Sequence, residues 1–265
     1  TPQNATPPSS SSMNLVLEIF GNANMDDTID EQDIEYVDSI ISGNTASTRF
    51  ADANNDGQIN ESDKDQITAL IDGNATYIVL IDGNGATISV SLPANRIVVE
   101  YIQNIELMRI LQLENQVVGI DYAVEMLKTK YFPDIPSVAS VGNMYTPDYE
   151  AVLNLNPNIL LTFSSDTAEK VSKLSGVDVV FLGLYYPNVT SPEASAFIQG
   201  VLKAGYIFDR VPQATEYAKW LLNLTETIRS KVSTLTESEK HTVLLTNYPY
   251  APSTAIKAYA TIDTL

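Results

Sequence analysis

Asp52-Ala-Asn54-Asn-Asp56-Gly57-Gln58-Ile59-Asn60-Glu-Ser-Asp63 sets oxygen-bearing side chains at positions 1, 3, 5, 9 and 12 of a twelve-residue stretch. Calcium is a hard cation that takes six to eight oxygens, and this spacing gathers them from one turn of chain, with position 7, Gln58, giving its backbone carbonyl. Gly57 makes the sharp turn at position 6, and Ile59 pins the loop inward. Thirty residues earlier the pattern recurs as Asn22-Ala-Asn24-Met-Asp26-Asp27-Thr28-Ile29-Asp30-Glu-Gln-Asp33. This copy has Asn22 for Asp at position 1 and Asp27 for Gly at position 6. Asp enters the left-handed region less readily than Gly, so two Ca2+ sites are expected, the second stronger. Without a metal, the same residues read as acidic Asx turns.

Position 12 is Asp rather than Glu, and one helical stretch follows each loop, closing at Ser42-Gly43 and Asp72-Gly73. In these traits residues 14–74 resemble the dockerin domain, the tandem F-hand module that binds cohesins. The resemblance implies a small all-α calcium domain with a possible cohesin-like partner, read through Glu31, Gln32, Glu61 and Ser62.

The formal charge is -18 over 265 residues, and residues 1–74 hold 14 of the 33 acids but 2 of the 15 bases. Bound metal would relieve much of that excess, and nucleic acid is an unsuitable partner for so acidic a chain. The absence of cysteine excludes disulfides and thiolate metal sites. No apolar run approaches the roughly 18 residues of a membrane span. Residues 1–13, rich in Ser, Thr and Pro, read as a disordered linker of the kind left when a leader or lipid anchor is removed. Sequons at Asn4, Asn60, Asn74, Asn188 and Asn223 fit an exported, glycosylated surface protein, although several arise by chance in an Asn-rich chain.

From Tyr77 the period changes to two: Tyr77–Ile81, a turn at Asp82-Gly-Asn-Gly85, then Ala86–Leu92 predict a β-hairpin. Beyond Pro93, short apolar runs alternate with helical periods, which predicts an α/β lobe around a parallel sheet. Strands are expected at 96–100, 117–119, 159–162 and 177–182, with helices at 105–111, 149–155, 166–174 and 193–204. A long helix over 211–235 carries one apolar stripe, Ala214, Tyr217, Ala218, Leu221, Leu224, Ile228, Val232 and Leu235. At 1.5 Å per residue it would run about 37 Å, long enough for a strut between lobes.

The hairpin, Pro93-Ala-Asn-Arg-Ile-Val-Val99, the stretch Ile105–Asp121, Val141-Gly142 and Tyr149–Leu161 together resemble ABC-transporter solute-binding proteins for iron-siderophores, haem and cobalamin. Asn158 departs from the Asp that family usually carries before the strand. The resemblance implies a Rossmann-like first lobe over 75–210, a linking helix over 211–236 and the start of a second lobe at 237–265. Because the closing lobe does not follow, the sequence reads as a fragment or a one-lobed descendant.

Ligands of such lobes bind outside the carboxyl ends of the strands. Those ends hold Tyr101, Gln103, Asn143, Tyr145, Ser164, Ser165, Tyr185 and Tyr186, an aromatic rim suited to a flat or bulky iron chelate, haem or corrinoid. Tyrosines at loop ends also serve simply as packing. The resemblance assigns Glu150 to docking on the ABC permease; the helix dipole alone would also favour a glutamate there. His241 is the sole histidine, too few for a direct zinc carrier. No Cys nucleophile or G-x-S-x-G elbow is present, so a binding protein is expected rather than an enzyme. The alternative is a cell-surface structural or adhesive protein, anchored outside this segment, whose calcium module docks a partner.

Overall fold

The computed structural model describes residues 13–185, 191, 195–236, 238–239, 244–246 and 258–261. Tyr186, Asn188 and His241 lie outside them, as do residues 1–12. The chain divides into two units, Thr1–Lys219 and Trp220–Leu265.

Two equal helices open the first unit, α1 (Glu31–Ile41) and α2 (Glu61–Ile71). Each starts on a reciprocal cap. The side chains of Asp30 and Asn60 accept from the amides of Gln32 and Ser62, and Asp33 and Asp63 accept from the cap amides behind them. Such capping boxes satisfy amides that a helix start leaves without partners. Both helices stop where expected, at Gly43 and Gly73, each with positive φ.

The hairpin forms from β1 (Tyr77–Ile81) and β2 (Thr87–Ser91). Its Asp82 carboxylate accepts from Asn84 and Ala86, closing the turn. The tip then rests on the lobe: the Gly83 amide donates to the Phe181 carbonyl at 2.7 Å, and a Cβ on Gly83 would sit 2.5 Å from the Gly183 nitrogen. Only glycine permits that approach.

Five parallel strands make the sheet: β3 (Ile97–Val99), β4 (Val117–Ile120), β5 (Ala139–Ser140), β6 (Ile159–Thr162) and β7 (Asp178–Phe181). Their order is β5-β4-β3-β6-β7. The apolar runs of β3 and β6 are fully buried, as a sheet covered on both faces requires. Connecting helices are α3 (Ile102–Ile110), α4 (Tyr122–Tyr131), α5 (Tyr149–Asn154) and α6 (Ala168–Lys173). Val98, Val141, Val152, Leu160 and Leu174 form one core cluster of the lobe.

The α/β fold class and the parallel sheet agree with the sequence reading, while α4 and β5 are elements it lacked. Helix α3 begins three residues earlier than expected. Helix α7 (Ala196–Ile207) runs three residues past its predicted end, and its predicted start at Glu193 lies outside the described residues. Helix α8 (Val211–Val232) spans 22 residues, about 33 Å. Ala214 and Ala218 of its stripe are buried. In the second unit, Leu224 and Ile228 are exposed, and β8 (Leu244–Thr246) pairs antiparallel with β9 (Ala258–Thr261). Among the described residues no helix is long and apolar enough to cross a membrane.

Candidate functional site

In this strand order the chain leaves β3 toward β4 and β5, then returns to lay β6 and β7 on the opposite side. Ligands of open α/β sheets bind at such a reversal, outside the carboxyl ends. Here those ends belong to β3 and β6, and they carry Glu100-Tyr101 and Thr162-Phe163-Ser164.

Glu100 is fully buried, and one of its oxygens accepts from Lys170 Nζ at 2.5 Å, from Thr162 Oγ1 at 2.8 Å and from the Phe163 amide at 3.3 Å. Lys170, equally buried on α6, also donates to the Met144 carbonyl and to Thr162 Oγ1. This one ammonium therefore ties β3, β6 and the 143–145 loop together. Burial pushes the Glu100 carboxyl up from its ordinary value, opposed by the charge and hydrogen bond of Lys170. The other Glu100 oxygen, Oε1, is buried and has no hydrogen-bond partner among the described residues. The sequence reading missed both residues. Their only signal was a charged residue directly after an apolar strand and another inside an apolar helical period.

Above this pair the aromatics converge. Tyr101 and Phe163 ring centroids lie 4.3 Å apart, Phe163 and Tyr185 4.8 Å, and Tyr185 donates from its hydroxyl to the Phe163 carbonyl. Tyr101 precedes the first turn of α3 with φ 70°, a positive-φ conformation that costs an aromatic residue about 1–3 kcal/mol. The buried Asp121 carboxylate accepts from the Val124 amide, and burial raises its pKa, opposed by neighbouring backbone amides. Phe163, absent from the predicted rim, sits at its centre.

The other predicted rim residues divide. Tyr145 is exposed, and its amide bonds the Asn143 side chain. Ser164 folds back on Thr162 and Asp166, and the Ser165 carbonyl accepts from Asn84 of the hairpin. Gln103 lines a small cavity with Leu107, Leu184, Phe197, Val201 and Tyr217, and its buried Oε1 has no partner among the described residues. Glu150 is exposed in the first turn of α5, behind the Asp148 cap.

The two N-terminal loops share much of their internal hydrogen bonding. Asn24 and Asn54 amides donate to Asp33 and Asp63, Asp26 and Asp56 amides to position 1, and Thr28 and Gln58 amides to Asp26 and Asp56. They also differ: in the second loop the Gly57 amide donates to Asp52 Oδ2. At position 6 Gly57 takes φ 89°, whereas Asp27 stays out of the left-handed region and accepts from the Met13 amide. The strain expected of Asp27 is therefore not there, and the donors differ at position 1, Asn22 for Asp52, and at position 9, Asp30 for Asn60. Exposure also differs: Asn22 is buried with its amide on the Leu17 and Asp26 carbonyls, while residues 55–58 lie open. Burial raises the Asp33 carboxyl to about 6, with further like charge from Asp26 and Asp30, and also raises Asp63. Among the described residues no three His, Asp or Glu side chains form a ready metal-binding group. A cation in either loop would thus draw on amide and backbone oxygens too.

No family model and no curated protein matches the chain. Among solved structures, the molybdate periplasmic binding protein MolA of a Haemophilus influenzae ABC transporter is similar, with TM-score 0.53 and 17% identity over 62% of this chain and 56% of that one. A periplasmic solute-binding protein from Veillonella parvula matches at TM-score 0.49 and 22% identity, covering 60% and 49%. The petrobactin-binding protein YclQ from Bacillus subtilis matches at 0.46 and 19%, covering 58% and 52%. The chain spans about half the length of these structures. Its parallel-sheet lobe has the fold of a solute-binding protein lobe.

Proposed function

We propose that the chain supplies the first lobe of an exported solute-binding protein that hands an iron chelate, haem or corrinoid to an ABC permease. The observation that carries this is the Tyr101–Phe163–Tyr185 cluster at the strand-order reversal of a lobe with that fold. A strained, preset aromatic patch presents rigid area to a flat or bulky ligand at little cost in side-chain entropy. The chemistry of this end disfavours a bare oxyanion, because the three donors of Lys170 are already engaged. Glu150, exposed on α5, is the proposed contact with the permease.

The N-terminal helix pair is proposed as a dockerin-like calcium module. Asp52, Asn54, Asp56, the Gln58 carbonyl, Asn60 and Asp63 would hold one ion; Asn22, Asn24, Asp26, the Thr28 carbonyl, Asp30 and Asp33 the other. The donor set fits a hard cation, and a bound Ca2+ would compensate carboxyls that burial now pushes toward protonation.

The test is calorimetric titration of the full-length natural protein, in calcium, with haem, cobalamin, ferric siderophores and molybdate. Tight binding of one of the first three supports the carrier; molybdate alone, or no binding, overturns it. A second reading, a surface protein docking a cohesin-like partner, is favoured by the exposure of Glu31, Gln32, Glu61 and Ser62. It gains if those positions, and no small ligand, are needed for partner binding.

A further inference from the structure

Helix α7 is mostly apolar and buried, yet it places three polar side chains, Gln199, Lys203 and Tyr206, at spacings of four and three. Residues so spaced share one face of a helix. All three reach the N-terminal segment. Gln199 accepts from the Glu18 amide and donates to the Val16 carbonyl, Lys203 pairs with Glu18 at 2.6 Å, and Tyr206 meets the first oxygen-rich loop.

We propose that Tyr206 is a positioning residue for the first calcium loop, so that an ion held there also stiffens the lobe. This rests on the calcium reading above. The Ile29 amide donates to the Tyr206 hydroxyl oxygen at 2.8 Å, and Thr28 Oγ1 shares a 3.2 Å hydrogen bond with the same hydroxyl. The peptide joining Thr28 to Ile29 is a rigid plane whose N–H and C=O point opposite ways. Its carbonyl is the position 7 oxygen, the backbone donor that a calcium loop requires. By holding the N–H toward α7, Tyr206 fixes that carbonyl facing away from α7. In the second loop the matching residue, Gln58, is exposed, and among the described residues no lobe side chain bonds Gln58 or the Ile59 amide. The two loops, alike within themselves, thus differ in what lies behind them. The first is backed by the lobe and the second faces solvent.

The experiment isolates each loop in the full chain by disabling the other. In an Asp56→Ala background, where the first loop alone would bind, Tyr206→Phe is expected to weaken calorimetrically measured Ca2+ binding about five- to tenfold, the range for losing a hydrogen bond that orients a ligand. In an Asp26→Ala background the same change should leave the second loop unaltered. In the unmodified chain, Ca2+ should slow amide hydrogen exchange in α7, a readout that holds even if Tyr206→Phe fails to fold. Equal binding with and without the hydroxyl in the Asp56→Ala background, or α7 exchange indifferent to Ca2+, overturns the proposal while leaving calcium binding intact. Absence of Ca2+ binding in both backgrounds overturns the calcium reading and the proposal with it.

Discussion

Lys170 is the side chain on which the strand ends most depend, since its ammonium compensates a carboxylate with no access to water. Removing one member of a buried pair strands the other, at about 3–5 kcal/mol. Lys170→Met should therefore cost about that much at pH 8 in urea unfolding. With the ammonium gone, the Glu100 carboxyl, already raised by burial, rises further. A carboxyl whose folded pKa exceeds its unfolded one contributes fully below the unfolded value and loses that contribution as pH rises through the folded one. The cost of Lys170→Met should accordingly shrink as pH falls toward 5, and a constant cost would count against this account. Asn158 makes a second case. Its side-chain NH2 donates to the Pro93 carbonyl and to Asn95 Oδ1 while its oxygen accepts from the Arg96 amide. A carboxylate could keep only the last of these. Asn158→Asp, the family-like residue, should lower stability by about 1 kcal/mol, read from the urea midpoint.

Among the elements, legibility followed the strength of the local signal. The hairpin, β6, α1 and α2 were plain in the sequence because turn glycines, capping residues and an unbroken apolar run each specify one backbone state. Helix α4 was missed because Val124 is its single buried residue, while Tyr122 and Met126 face solvent, so no apolar period betrays it. Strand β5 has two residues, too few to show alternation. In the candidate site, Tyr101 and Tyr185 were legible from their positions after strands, whereas Phe163 and the Glu100–Lys170 pair come together only through tertiary packing, the pair across 70 residues. The same limit applies to the hairpin tip, whose docking on β7 no spacing could announce. Gly83→Ala would drive a methyl into the Gly183 backbone and should cost about 1–3 kcal/mol. Gly85→Ala provides the contrast: among the described residues nothing lies within 4 Å of the added carbon, so its penalty comes from φ 80°. If thermal melting ranks the two the other way, the hairpin tip is not a tight joint.

At the scale of the first unit, the segment before the first loop is woven into the hairpin as well as into α7. Ile19 bridges Leu80, the Phe20 amide donates to the Val79 carbonyl, and the Ile81 amide donates to the Glu18 carbonyl. Gln66 of α2 reaches the Tyr77 carbonyl, adding a tie from the second helix. Backbone pairing of this kind cannot open for one partner without opening for the other, so helix pair and lobe should unfold in one transition. Glu18 provides the test, because it is half-exposed yet compensates Lys203, which is almost wholly buried. Burial holds the Lys203 ammonium below its ordinary value, with Glu18 opposing that shift. Glu18→Ala should cost about 1–2 kcal/mol, less than a fully buried pair because water screens one partner. A lysine depressed in the folded state binds fewer protons there than when unfolded, so stability rises with pH through the depressed value. The Glu18→Ala penalty should therefore be largest near neutrality and diminish as pH climbs toward the ordinary lysine range. Hydrogen exchange followed through urea in α1 and α2 and in β3 and β6 should report the same shifted midpoint. Two separated midpoints would mean that the helix pair folds as an independent module beside the lobe, and the coupling through α7 would lose its mechanical basis.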